Sequence, residues 1–193
     1  VIAAVQRRAR WLWRALEARR ERCQHVLPRE YVSGESHFYL GRRHMLKVEL
    51  AEGRKANIKL LRGKLLVALP YRDPLLVRFS LEAWYRQRAR EVFARRLAEL
   101  APRSPGLSAL PDFRWLNMRT RWGSCSPSGA LGLNPQLVKA PRVCIDYVIN
   151  HELCHLREQN HSPAYYRLLD SVMPDWAKHK ALLDSLAEVL LNR

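Results

Sequence analysis

The sequence predicts an α+β fold, and three features of it carry that prediction. Short alternating runs punctuated by glycine fill residues 36–70. A long stretch with helical spacing fills residues 74–100. The last third reads as a series of helices around a group of histidines. With 193 residues, 48% of them hydrophobic, the chain has enough apolar material to bury a core.

Residues 1–24 have the pattern of a basic amphipathic helix. Val5, Ala9, Leu12 and Leu16 follow helical spacing, Trp11 and Trp13 widen the apolar side, and arginines fill the other faces. Such a helix docks on its domain or, as the weaker alternative, touches a membrane surface. The chain divides into this basic extension, residues 1–35, and a domain over 36–193. Phe38-Tyr39-Leu40, Met45 to Leu50, Asn57 to Leu60 and Leu65 to Leu69 read as strands, with Gly41, Gly53 and Gly63 between them. Their succession over 36–70 predicts an antiparallel meander closed by Pro70.

The long helix over 74–100 shows Leu76, Phe79, Ala83, Phe93 and Leu97 along its faces, with Arg86, Arg88, Arg90, Arg95 and Arg96 around them. Pro102, Pro105 and Gly106 form a connector. Residues 113–193 hold a hairpin and the metal-binding helices. Phe113 to Thr120 and Ala130 to Leu133 are the expected hairpin strands, turning at residues 124–129. Asn134-Pro135 offers an N-cap and a first-position proline for a short helix, and Pro141 opens the next one. Two further helices, about 163–172 and 174–191, divide at Met173-Pro174.

No apolar run is long enough to span a bilayer, and the N-terminus lacks the apolar block of a signal peptide. Cys23, Cys125, Cys144 and Cys154 show no C-x-x-C spacing, which predicts a reduced, cytoplasmic setting. The formal net charge is +16, and residues 36–100 hold 15 of the 34 basic residues against 6 of the 18 acidic ones. Such a field suits nucleic acid or acidic proteins, or is a solvated surface.

The chemistry lies in His151-Glu152-Leu153-Cys154-His155. Residues four apart on a helix differ by about 40° in azimuth and about 6 Å in height, so His151 and His155 can grip one ion. Glu152 stands about 100° round from His151, where a carboxylate can act on water. Zn²⁺ favours neutral imidazole, and a catalytic site takes three protein ligands and leaves the fourth position open. His161 is the expected third ligand of one Zn²⁺ per chain. On a continuous helix it would point about 240° away from His155, so the helix must stop between them. Asn160 tolerates the left-handed conformation that ends helices, and Ser162-Pro163 opens a new helix.

Asp170 and Asp175 are the alternative ligands. Cys154 reads as a small buried hydrophobe, and Cys125 is left open because its segment can lie near the metal. A bare H-E-x-x-H also arises by chance on a solvated helix. Here Val143, Ile145, Val148, Ile149 and Leu153 make the helix strongly apolar. The histidine spacing is also that of metzincins, but their glycine three residues after the second histidine is Glu158 here.

Arg121-Trp122-Gly123-Ser124-Cys125-Ser126, Leu133-Asn134, Asp146-Tyr147 ahead of the histidine motif, and Asn160-His161-Ser162 together resemble the YgjP-like metallopeptidases, small zincins related to the SprT-like proteases. The resemblance covers about residues 36–185. It implies a zincin-like core, one bound zinc and peptide-bond hydrolysis. It implies His151, His155 and His161 as ligands and Glu152 as the catalytic acid–base.

Around that centre, Arg121 is a candidate oxyanion donor or a structural ion pair. Trp122 either faces substrate or packs under the active-site helix. Tyr147, Tyr165 and Tyr166 are further candidates. Residues 115–125 or 130–134 are expected to pair with an extended peptide and present its carbonyl. The leading expectation is a zinc-dependent metallopeptidase acting on protein or peptide. The alternatives are a nucleic-acid-associated factor binding DNA or RNA through residues 36–100, and metal-dependent hydrolysis of a non-peptide amide.

Overall fold

The computed structural model describes residues 27–51, 56–105, 107, 109–118 and 120–192, together with residues 9, 13, 14, 16, 17 and 21. Those six are helical, with Trp13 and Leu16 exposed. The rest of the expected N-terminal helix lies outside the described residues. The fold is α+β.

Strands β1 (Ser36–Tyr39), β2 (Arg42–Leu50), β3 (Asn57–Leu61) and β4 (Lys64–Leu69) form one sheet in the order β1-β2-β4-β3. Its hairpins turn at Leu40-Gly41 and Arg62-Gly63, all four residues at positive φ. That backbone twist matches the twist of paired strands. The expected meander does not form. β2 runs parallel to β4, from Met45↔Lys64 to Leu50↔Leu69, and β3 is displaced to the edge. Burial explains the order. β4 turns Leu65, Val67 and Leu69 wholly inward, while β3 is exposed at all positions but Ile58, so the more apolar strand takes the interior place.

Helix α1 (Pro74–Leu100) begins where Asp73 accepts from the Leu75 backbone N–H at 2.8 Å. It buries Val77, Leu81, Trp84, Tyr85, Val92 and Phe93. Phe79 is exposed, because the buried stripe runs through 77, 81, 84 and 85.

Strands β5 (Phe113–Trp115), β6 (Gly123–Cys125) and β7 (Leu131–Leu133) form a second sheet in the order β5-β7-β6. The expected hairpin is corrected here. β6, placed by sequence in the turn, pairs antiparallel with β7, while β5 lies parallel to β7 on its other side. Leu131, Gly132 and Leu133 are all buried, and the one fully buried strand of the three occupies the centre.

Asn134 caps a 3-10 helix, Pro135–Lys139, accepting from the Gln136 N–H at 3.1 Å. The same buried side chain donates to the carbonyls of Met118 (2.9 Å) and Arg121 (3.1 Å), which ties the segment leading into β6 to this corner. The β1–β2 turn docks on the 3-10 helix from the other side. Leu40 and Gly41 donate to the Val138 and Lys139 carbonyls at 3.0 Å, and a Cβ on Gly41 would meet Pro141 at 2.9 Å.

Helix α2 (Arg142–Cys154) follows at once. Arg96 of α1 grips Asp146 with two hydrogen bonds, 2.6 and 2.8 Å, in the bidentate geometry that fixes orientation. α3 (Pro163–Val172) and α4 (Trp176–Leu191) complete the fold, with the break at Met173-Pro174 as expected. No helix of the described residues is long and apolar enough to cross a membrane.

Candidate active site

Helix α2 ends at Cys154, and His155 is its C-terminal cap in ordinary right-handed conformation. The left-handed stop expected at Asn160 does not occur: among described non-glycine residues only Tyr31, Leu40 and Arg62 have positive φ. The chain instead closes on itself directly after the helix. Arg157 and Glu158 donate backbone N–H groups to the Cys154 carbonyl at 3.1 and 3.0 Å. His155 Nδ1 lies 3.0 Å from the Glu158 carbonyl oxygen. A carbonyl only accepts, so Nδ1 carries a proton and Nε2 is the ring nitrogen left to bind an ion. Ser162 then caps α3, accepting from the Tyr165 N–H at 3.2 Å, and the connection brings His161 back over the end of α2.

The ligand atoms of His151, His155 and His161 lie within 4.8 Å of one another. The Nε2 atoms of His151 and His161 are 3.2 Å apart. Two nitrogens bound to a tetrahedral Zn²⁺ at about 2.0–2.1 Å stand about 3.4 Å from each other, so the observed spacing suits a shared ion. Burial, then His155, His161 and Lys180, push the His151 pKa down to about 4. Burial and His155 lower that of His161. Both are therefore neutral imidazoles near neutral pH, the form that binds a metal. The residues fit one metal ion. Asp170 instead accepts from Trp176 Nε1 at 2.6 Å and Asp175 from Lys178 at 2.7 Å; neither joins the cluster.

Glu152 is 5% exposed. Burial pushes its pKa up to about 7, with Arg121 pulling the other way. A carboxyl poised there can both take and give a proton near neutral pH. β6 lies directly on it. A Cβ built on Gly123 would fall 2.5 Å from Glu152 Oε1, so this strand can approach the carboxylate only because position 123 is glycine. Gly123 has no motif role of its own, and glycine within a short strand is the signal for such an approach.

A cavity of about 520 Å³ opens over the histidines. Arg121, Trp122, Gly123, Ser124 and Cys125 form one wall, and Tyr147, Lys180, Leu183 and Asp184 form the other. β6 has β7 on one side, and of the expected segments 115–125 and 130–134 the cleft lining includes residues 121–125 and none of 130–134. β7 is interior. Arg121 is exposed, acts on Glu152 through its charge, and makes no ion pair among the described residues. Trp122 lines the cleft and also packs on the core. Cys125 lines the cleft with its thiol pKa raised by burial and by Glu152, whereas Cys154 is buried as expected.

Tyr165 departs from its expected place at the substrate. It is fully buried, and its hydroxyl turns back onto His151, 2.7 Å from Nδ1 and 3.1 Å from the carbonyl oxygen. Tyr147 lines the cleft and stacks on Trp176, and burial pushes its pKa up to about 12. Tyr166 is 40% exposed, outside that lining. Lys180 and Asp184, paired at 2.5 Å, come from a distant helix with no motif to announce them.

Three converging imidazoles beside a buried carboxylate, at the floor of an open cleft, define a metal-dependent hydrolase. More specifically, the chain belongs to the YgjP-like family: the model described as YgjP-like, metallopeptidase domain, matches residues 1–186. Among solved structures, the chain is similar to the metallopeptidase zymogen abylysin of Pyrococcus abyssi. The two are 20% identical, with 51% of this chain and 95% of the other covered and a TM-score of 0.40. No curated protein matches the chain.

Proposed function

We propose that this chain is a zinc-dependent peptidase in which His151, His155 and His161 hold the ion and Glu152 is the general base and acid. The convergence of the three imidazoles within 4.8 Å carries this reading. When bound, the ion supplies Lewis acidity toward the scissile carbonyl and lowers the pKa of water. Glu152 takes the proton of the attacking water on its carboxylate and delivers it to the leaving amine. The edge of β6 away from β7 holds the peptide extended, by backbone pairing. Arg121 lies on the same wall, where its charge favours an oxyanion. The free thiols of Cys125, Cys144 and Cys154 support a reducing, cytoplasmic setting. Residues 1–35, which the family match includes, are proposed as a basic N-terminal extension of the zincin-like core.

The test is metal analysis of the purified protein together with a broad peptide-library cleavage assay. Glu152→Gln should keep its metal and lose turnover by about 10²–10⁴-fold. A fully active Glu152→Gln would remove the mechanism. Hydrolysis confined to non-peptide amides would redirect the substrate class.

Nucleic-acid association has one specific observation in its favour. The exposed Trp115 has Arg90 5.8 Å from its ring centroid, and both line a groove of about 640 Å³ with Arg114. An exposed aromatic in a basic groove is a stacking platform for a base. Binding of single-stranded oligonucleotides that weakens steeply with salt would support this second role, and no binding at low salt would eliminate it.

A further inference from the structure

We infer that Tyr165 is a positioning residue for the metal, a buried hydroxyl that sets the tautomer and ring orientation of His151. The inference rests on the reading of the three histidines as metal ligands. A tyrosine hydroxyl has one proton to give and lone pairs to accept with. Its oxygen lies 3.1 Å from the His151 carbonyl, which can only accept, and 2.7 Å from His151 Nδ1. One assignment satisfies all three atoms. The hydroxyl donates to the carbonyl, and Nδ1–H donates to the hydroxyl oxygen. His151 then bears its proton on Nδ1 and turns the lone pair of Nε2 toward His161.

The ring of Tyr165 supports the same geometry. Its centroid lies 5.4 Å from that of His151 and 4.7 Å from those of His155 and His161, so one ring packs against all three imidazoles. The local sequence makes this possible. Ser162 caps α3 through the Tyr165 N–H, so one cap sets the positions of both His161 before it and Tyr165 within it. His155 is fixed separately, by its own hydrogen bond to the Glu158 carbonyl. An outer hydrogen bond that fixes a ligand's tautomer is worth roughly 10–100-fold in metal affinity.

The experiment compares metal-free wild type, Tyr165→Phe and Tyr166→Phe. Zn²⁺ affinity is measured by competition with a chromophoric chelator, and the His151 tautomer by long-range ¹H–¹⁵N correlation. Wild-type His151 should carry its proton on Nδ1. Tyr165→Phe keeps the ring, and should show mixed tautomers and bind Zn²⁺ roughly 10–100-fold more weakly. Tyr166→Phe should match wild type in both. Tyr165→Phe with wild-type affinity overturns the inference, even if its unfolding temperature falls, because a purely structural role would leave affinity unmoved. An Nε2–H tautomer in the wild type overturns it without any variant having to fold. Failure of the wild type to bind Zn²⁺ at all would remove the metal reading, and this inference with it.

Discussion

β4 and β6 each lie in a sheet against the body of the protein, but different forces hold them there. β4 is placed by bulk burial. Leu65, Val67 and Leu69 are wholly inaccessible, and five residue pairs to β3 and six to β2 fix its register. β6 is three residues long and half-buried throughout, too short for alternation to specify a register. Individual contacts place it instead: the hydrogen bonds of Asn134 to the segment before it, and the fit of Gly123 against Glu152. Support is spread over many apolar contacts that tolerate exchange, whereas positioning rests on a few residues without substitutes. Stability and turnover should therefore respond to different mutations.

The largest effect is expected in the supporting sheet. Leu65→Ala removes a fully buried side chain and should cost about 2–5 kcal/mol by denaturant unfolding. The folded fraction should keep the wild-type metal content and turnover per molecule. A loss of turnover matching the loss of stability would mean that the two sheets are not separable. Gly123→Ala is the converse case. Its Cβ must displace the Glu152 carboxylate, and misplacing a catalytic group by about 1 Å costs on the order of 100-fold in kcat. Unfolding should shift far less than for Leu65→Ala. Wild-type kcat in Gly123→Ala would show that β6 does not set the carboxylate.

The same division explains what the sequence disclosed. Helices were legible from periodicity and caps: Asn134, Ser162 and the Met173-Pro174 break all act as their chemistry predicts. His161 was legible as a ligand because of its spacing. The cause of the helix break was not, since the turn is closed by backbone donors to the Cys154 carbonyl rather than by a left-handed Asn160. The parallel pairings of β2 with β4 and of β5 with β7 join segments whose order depends on relative burial, which adjacency in sequence does not encode. Tyr165 was visible as an aromatic near the motif. That its hydroxyl faces His151 and not substrate depends on how α3 crosses α2, which only the packing decides.

Glu152→Gln sharpens the contrast, because it should raise stability while removing function. The folded-state pKa is about 7 against an ordinary value of 4.5. The native metal-free protein thus binds the proton more tightly than the unfolded chain. Its stability is full below pH 4.5, falls as pH rises through 7, and levels off above that. Replacing the carboxyl by a neutral amide should abolish this slope. At pH 8 the metal-free variant should be more stable than wild type by on the order of 3 kcal/mol, the desolvation cost of a buried charge. Parallel stability profiles of the two proteins between pH 4.5 and 8 would refute the burial argument.

The smallest effect isolates backbone conformation from contact. Gly63 has φ of +75°, and a Cβ there would meet nothing within 4 Å. Gly63→Ala should therefore cost only the left-handed penalty, about 1 kcal/mol, with turnover unchanged. Gly63→Asn should recover most of that cost, since asparagine tolerates this conformation. Gly41 has nearly the same φ, +77°, but its Cβ would stand 2.9 Å from Pro141 at the entry to α2. Gly41→Ala should cost more than Gly63→Ala, and Gly41→Asn should not recover it, because steric overlap is added to strain. If unfolding midpoints show equal losses and equal recovery at both turns, the β1–β2 turn is not a tight support for α2, and the four-stranded sheet has less part in placing the site than its contacts indicate.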